Sequence, residues 1–293
     1  MKTFVKRAHG AGEDLRLEAA ALSWLAEAEP TGGLRVARVC SATRDELVEE
    51  RIATGVPARE AARRAGEALA RTHAAGAPWL GCPPQPADSG MAGEKDARAA
   101  ALPEAYVISG VPTPLVPRGL APLSWGAFYA EWRVRPHVRA LRDEGFFDAG
   151  EVALFERLCS RLEDGDFDAP QPGLVEDAIA ASADVVPVTC ARLHGDLWAG
   201  NLLWDADADA PTGGVLIDPM AHGGHAETDL AMLALFGAPH LNVLLAAYDA
   251  VSPLADGWQD RVALHQLAPL LLHCRLFGWG YRADTLQALR RYV

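Results

Sequence analysis

The segment 194–218 constrains this chain more than any other. It reads His194-Gly195-Asp196-Leu197-Trp198-Ala199-Gly200-Asn201, then the apolar Leu202 to Trp204, a turn-rich gap, and Val215 to Ile217 ending on Asp218. The two apolar runs predict a hairpin with 205–214 as its turn. An Asp on a short loop can accept a proton from a substrate hydroxyl. An Asn five residues later offers a neutral carbonyl oxygen that suits Mg²⁺, and an Asp at a strand end can hold the same metal against nucleotide phosphates. This is the layout of a phosphotransferase site, where the protein positions groups and neutralises charge. The competing reading is a loop with acidic turn residues, and the fixed offsets of His, Gly, Asp and Asn weigh against it.

A chain of 293 residues is long for one core and has room for two lobes. Half of it is hydrophobic and 23% is charged, a globular composition. The net charge of −12 argues against a nucleic-acid partner, which would need a basic face, and is compatible with a cationic or amine-bearing substrate. The five cysteines, Cys40, Cys82, Cys159, Cys190 and Cys274, include no Cys-x-x-Cys pair, so reduced and mostly buried thiols are expected. The chain opens Met1-Lys2-Thr3-Phe4-Val5-Lys6 without the pattern of a signal peptide, and no apolar run approaches the roughly 18 residues of a membrane span. These features predict a soluble cytoplasmic protein with no membrane partner, and leave monomer or dimer open.

Residues Thr3 to Val5 read as a strand ending at Lys6. Helical periodicity follows over 13–28 (Leu15, Leu17, Ala21, Leu22, Leu25) and stops at Pro30 and Gly32-Gly33. Two further strands are predicted over 34–40 and 46–52. After Gly55 and Pro57 a strong helix runs over 58–75. The stretch 76–122 holds nine prolines and no sustained period, and reads as a long loop or insertion. Helices resume over 125–141 and 150–162, residues 189–193 lead into the Asp196 loop, and helices are expected over 228–236, 240–250, 257–277 and 284–292.

Lys6, after its strand, and Glu18, on the next helix, are in the order of a phosphate-orienting Lys–Glu pair; outside that context they would be solvated charges. His194 is expected to hold the loop by backbone hydrogen bonding rather than to act on substrate. Gly195 and Gly200 are expected to adopt backbone angles closed to other residues. In His222-Gly223-Gly224-His225-Ala226-Glu227-Thr228-Asp229 the spacing fits no zinc pattern. Asp229 reads as a helix N-cap that also bonds the Asp196 loop. The Trp125-Gly126 and Phe128-Tyr129 stretch reads as helix core, with substrate stacking as the weaker reading.

The string His194 to Asn201, followed by Ile217-Asp218-Pro219 and by Gly223-Gly224-His225-Ala226-Glu227-Thr228-Asp229-Leu230-Ala231-Met232, resembles the fructosamine (ketosamine) 3-kinase family. Trp198 after the Asp-Leu step separates it from choline kinases and aminoglycoside phosphotransferases. Phe4-Val5-Lys6, the Glu18 helix and Trp125-Gly126-Ala127-Phe128-Tyr129 extend the likeness over nearly the whole chain. The resemblance implies an α+β, two-lobed protein-kinase-like fold. Its small N-terminal lobe (1–55) has an antiparallel sheet and one helix, and its larger, mostly helical C-terminal lobe (56–293) carries the Pro-rich insertion. It implies ATP with Mg²⁺, and phosphorylation of the 3-hydroxyl of a sugar ketoamine on a small amine or a glycated protein; the product is unstable and leaves the amine free. Carried over, Asp196 is the base, Asn201 and Asp218 are the metal ligands, and Lys6 with Glu18 is the phosphate-orienting pair. Glu50 marks the linker whose backbone would meet adenine. Two departures stand out. The family's strands and glycine-rich loop ahead of the lysine strand are missing, and residues 83–105 do not match the short connection expected. The latter reads as a surface insertion, with a lid as the alternative. The runner-up enzyme is a small-molecule kinase of the aminoglycoside or choline type. The competing class is a pseudokinase, favoured by the missing loop and opposed by the intact Asp196, Asn201 and Asp218.

Overall fold

The computed structural model describes residues 2–10, 12–84, 102–182, 187–207 and 210–293. Three strands, β1 (Thr3–Arg7), β3 (Val39–Ala42) and β4 (Glu46–Glu50), form an antiparallel sheet in the order β1-β4-β3. Helix α1 (Leu15–Ala26) packs on it through Leu15, Leu17, Leu22 and Leu25, all nearly free of solvent. Asp14 caps α1 by accepting the Arg16 N–H, and a 3₁₀ turn (Glu29–Thr31) with Gly32 at φ +85° ends the segment.

The expected strand over 34–40 is divided. Arg35–Val36 forms a separate strand, β2, which joins a different sheet. It pairs in parallel with β9 (Gly214–Leu216), which pairs antiparallel with β8 (Leu202–Trp204) in the register Leu202↔Leu216. The hairpin anticipated around 205–214 is therefore present, and a strand from the first fifty residues stitches onto it. Arg35 adds a charged tie at the same junction: its guanidinium reaches Glu50 and Asp205, each at 2.5 Å.

The 76–122 stretch is more ordered than its proline content suggests. β5 (Ala105–Ile108) and β6 (Val111–Pro114) make a hairpin whose turn residues, Ser109 and Gly110, lie at φ +48° and +80°. Both central residues at positive φ is the turn geometry whose twist matches that of paired strands. The Tyr106 hydroxyl donates to the Ala221 carbonyl at 2.9 Å and ties the hairpin to the body. Most of the 83–105 insertion lies outside the described residues.

Helix α2 (Arg59–Ala74) buries an alanine-rich face against α8 (Leu241–Val251). The larger body is built from α3 (Trp125–Tyr129), a π turn (Ala130–Val134), α4 (Arg135–Asp143), α5 (Ala149–Glu163), α9 (Trp258–His265), α10 (Leu267–Phe277) and α11 (Arg282–Leu289). The helix expected over 257–277 is broken at Gln266, and Pro269 sits in the first turn of α10, where its missing N–H costs nothing. Helix α6 (Gly173–Ala181) and the strand pair β7 (Ala191–Leu193) and β10 (His222–Gly224) have no counterpart in the periodicity. Among the described residues no helix is long and apolar enough to cross a membrane.

Gly66 in α2 tests the close approach of α2 and α8. A Cβ there would stand 2.1 Å from the Leu244 carbonyl oxygen. Ala is the better helix former by about 1 kcal/mol, so helix propensity alone predicts that Gly66→Ala stabilises. The packing predicts the opposite, a loss of roughly 2 kcal/mol or more in urea unfolding.

Candidate active site

The loop 194–201 leaves the buried strand β7 and is shaped by a single carboxylate. Asp229, fully buried in the first turn of α7 (Glu227–Leu235), accepts the His194 N–H at 2.7 Å and the Gly195 N–H at 3.0 Å. Its Oδ2 also lies 3.2 Å from His73 Nε2, and His73 Nδ1 meets the Tyr248 hydroxyl at 2.8 Å. Burial raises the Asp229 pKa, but these hydrogen bonds and the nearby histidines outweigh it and hold the carboxyl below its ordinary value. The N-cap of α7 is Ala226, not Asp229. Asp229 spends its oxygens on the loop instead.

His194 is buried and locked at both ring nitrogens: Nε2 donates to the Ile217 carbonyl at 2.9 Å and Nδ1 accepts the Asp196 N–H at 3.2 Å. The ring thus ties the loop to the end of the hairpin and is turned away from substrate chemistry. Gly195 sits at φ +84°, with the Met220 carbonyl 2.2 Å from where a Cβ would be. Gly200 needs no unusual angle. Its role is clearance, because a Cβ would stand 2.2 Å from the Trp198 ring. Trp198 itself is 41% exposed, edge-on to Phe236.

Asn201, Asp196 and Asp218 come together as the motif spacing implied. Asn201 Nδ2 donates to the Asp196 carbonyl at 2.8 Å, to Asp196 Oδ2 at 3.1 Å and to the Asp218 carbonyl at 3.4 Å. With the amide nitrogen so used, Oδ1 is the atom left to face a cation. Asp218 lies at φ +51°, a left-handed conformation that Asp tolerates better than most residues. Lys6, inside β1 rather than after it, reaches Glu18 Oε2 at 2.8 Å and Asp218 Oδ1 at 3.3 Å. These groups line one cleft of about 340 Å³, with Trp198 at its side and the β5–β6 hairpin as a wall.

Glu50 is not part of this arrangement. Its N–H is spent on the Arg38 carbonyl at 2.8 Å, and its carboxylate holds Arg35. Its neighbour Glu49 is the residue that sequence reasoning missed. Glu49 is 4% exposed, it pairs with Phe4 across the sheet, two positions from the Lys6↔Leu47 pair, and its Oε2 has no partner among the described residues. Strand alternation carried the signal: in Leu47-Val48-Glu49-Glu50 one of two adjacent glutamates must share the inner face with Leu47.

Burial pushes the Asp196 carboxyl up to about 7; Asn201 opposes this and the charges of Asp218 and Asp229 add to it. Glu49 is likewise pushed up to about 7, by burial first and then by Asp218 and Glu18. Glu18 is raised because burial outweighs its contact with Lys6, and the Lys6 ammonium, despite burial, is held above its usual value by Glu18 and Asp218. A further buried group, His225, Glu227 and His265, has ligand atoms within 4.8 Å of one another. Those atoms are engaged: Arg261 grips Glu227 at 2.6 and 2.9 Å, Thr228 bonds His265, and His225 Nε2 faces the carbonyls of Ala169 and Pro170. The guanidinium already supplies the positive charge, so this is an ion-pair network and not a metal centre.

Comparison with known proteins identifies relatives of the chain. The family model described as fructosamine kinase matches residues 121–293. A ketosamine-3-kinase from Mus musculus is 30% identical over 167 residues, 57% of this chain and 46% of that protein. A chloroplastic protein-ribulosamine 3-kinase from Arabidopsis thaliana is 30% identical over 171 residues, 58% of this chain and 44% of the relative. The alignments thus span less than half the length of these two relatives. Among solved structures, a fructosamine-3-kinase homologue from Thermobifida fusca superimposes with a TM-score of 0.77 at 37% identity, over 99% of this chain and 85% of that one. The two-lobed kinase-like α+β fold is shared with it.

The buried Glu49 generates a stability prediction. An acid whose proton is held more tightly in the folded chain than in the unfolded one loses stability as pH rises between the two pKa values, here from about 4.5 to about 7. In metal-free buffer, Glu49→Gln should equal the parent near pH 4.5. It should exceed the parent by on the order of 2 kcal/mol at pH 8. Denaturant titrations at the two pH values check this, and a variant less stable at pH 8 would contradict it.

Proposed function

The chain belongs to the fructosamine kinase family, and from that membership we propose that it transfers the γ-phosphoryl group of ATP to the 3-hydroxyl of a ketosamine, a fructosamine or ribulosamine adduct of a small amine or a protein. The observation that carries the reading is the convergence of Asp196, Asn201, Asp218 and Lys6 in one cleft, held within hydrogen-bonding distance of each other.

The donor set fits a divalent cation. The carboxyl groups of Glu18, Asp196 and Asp218 stand against the Lys6 ammonium in the cleft, and burial, with neighbouring acid charge adding to it, raises the pKa of Glu18 and Asp196. Asn201 Oδ1 and the Asp218 carboxylate, whose side chain is 42% exposed, would hold Mg²⁺. When bound, Mg²⁺ would neutralise charge on the phosphate oxygens.

The remaining work falls to side chains. Asp196 accepts the proton of the acceptor hydroxyl as its oxygen bonds to the γ-phosphorus and the bond to the β–γ bridging oxygen breaks, releasing ADP. Asn201 keeps Asp196 Oδ2 turned into the cleft. Lys6, oriented by Glu18, directs its ammonium to the phosphates. Trp198 offers an exposed aromatic face beside the base, where a sugar ring can stack. His194 and Asp229 act through the loop: they hold its backbone so that Asp196 faces the cleft.

The test is ADP release with Mg·ATP and fructosyl-lysine or ribulosyl-lysine, with choline and an aminoglycoside as controls. Turnover confined to the ketoamines is expected; turnover of a control alone, or of nothing, overturns the reading. Asp196→Asn should lower kcat by roughly 10³-fold while ATP binding measured by calorimetry stays within about threefold. Because the base must be deprotonated, kcat/KM should fall on the acid side of an apparent pKa no higher than about 7. Bound Mg²⁺ would shift that limb downward, so a limb well above 7 would remove Asp196 from the role.

A further inference from the structure

A second cavity, of about 60 Å³, also reaches Asp196. Its walls come from β6, α3, the π turn, α4, β7 with the loop after it, β10, α7 with Asp229, and α10. One water needs some 10–15 Å³ on this measure, so the space takes a few waters or one small polyatomic group, and not a sugar ring.

Three polar side chains in its wall lack hydrogen-bond partners among the described residues: Thr113 at Oγ1, Arg133 at Nη2 and His137 at Nδ1. All three are nine-tenths or more buried, at 8%, 6% and 2% exposure. Buried polar groups are nearly always paired, so three orphans around one cavity point to an absent occupant. Arg133 specifies its charge. Its Nη1 donates to the carbonyls of Pro114 at 2.8 Å and Trp132 at 3.0 Å, and its guanidinium lies over the Phe128 ring, 4.7 Å from the centroid. Among the described residues Arg133 forms no ion pair with a carboxylate, unlike the buried Arg192 and the partly buried Arg261, which meet Glu27 and Glu227. Burial lowers its pKa to about 10, so it is still a cation at neutral pH. A buried cation without a counter-ion is costly, and an anion entering the cavity would offset that cost. The backbone is arranged to the same end: Arg133 sits in the π turn, where the Arg135 N–H reaches back five residues to the Ala130 carbonyl. Such turns recur at functional sites.

We propose that this cavity is a subsite for a small oxyanion, a carboxylate or phosphate carried by the acceptor, gripped by Arg133 with Thr113 and His137 beside it. The proposal rests on the ketosamine kinase reading for the identity of the acceptor. It narrows the substrate class to ketoamines bearing an anionic group a few bonds from the reacting hydroxyl. Donation from the free Nη2 of the guanidinium suits either oxyanion. In a ketoamine that group is either the carboxylate of the glycated amine or a phosphate at the far end of the sugar.

Three acceptors separate these sources: fructosyl-glycine, fructosyl-ethanolamine, and fructosyl-ethanolamine phosphorylated at sugar C6. Their binding to the full chain is measured by calorimetry with Mg²⁺ and a non-hydrolysable ATP analogue, so the result does not depend on turnover. One anionic acceptor is expected to bind at least about tenfold more tightly than the neutral one, and which one does identifies the group. Arg133→Met should erase the preference while leaving the affinity for fructosyl-ethanolamine within about twofold. Should that variant fail to fold, Thr113→Val, nearly isosteric, should reduce the preference about threefold. Equal affinity for all three, or a preference that survives both variants, overturns the subsite. ADP release from the same acceptors with ATP reports separately on the kinase reading: no release with the preference intact sinks the kinase and keeps the subsite.

Discussion

The geometry around Asp196 depends on a carboxylate that belongs to another element, Asp229 in the first turn of α7. By taking the N–H groups of His194 and Gly195 it satisfies two donors that a tight turn would otherwise leave buried and unpaired. Each such charge-assisted bond is worth about 1.5–3 kcal/mol. His73 and Tyr248 complete a chain from α2 through Asp229 to the loop and on to α8. The same carboxylate therefore joins the Asp196 loop to the closely packed α2–α8 pair. Positioning is nearly all that a phosphotransferase asks of its protein, and here it comes from packed helices and not from the loop.

What was legible in the sequence was local. Asp196, Asn201 and Asp218 are brought together by one hairpin and one short loop, so spacing alone places them. Lys6 and Glu18 needed only a strand followed by a helix. What was hidden depended on distance or on competing local signals. Asp229 reads as a cap that also bonds the Asp196 loop, and the loop bonds are present; the cap is Ala226 instead, and the partner on α2, His73, lies where no spacing rule reaches. Pro112 and Pro114 disguised β6, since proline argues against a strand except at an edge, which is where β6 lies. β2 is two residues long and pairs in parallel with a strand some 180 positions later, a contact that local periodicity cannot encode. Glu50 was named only for its backbone in the linker; its carboxylate adds a tie to Arg35, and the inward-facing glutamate is the one before it.

The two cavities that meet at Asp196 have opposite electrostatic character. In the larger cleft carboxylates outnumber the Lys6 ammonium, and Asp196 and Glu18, like Glu49 behind them in β4, hold protons above their ordinary range because of burial first and neighbouring acid charge second. In the smaller cavity a buried guanidinium has no acid partner, and the histidines beside it are kept neutral: His137 and His222 are both pushed down to about 3, by burial first and then by neighbouring arginine charge. Each half is strained alone, one toward taking up a cation and the other toward taking up an anion. Positive charge entering the cleft would lower the Asp196 pKa, in the direction in which Lys6 already acts. The net −12 of the chain obscures this division. It arises from which face of β4 carries Glu49 and which turn of a helix carries Arg133, so it follows from strand alternation and one π turn rather than from composition.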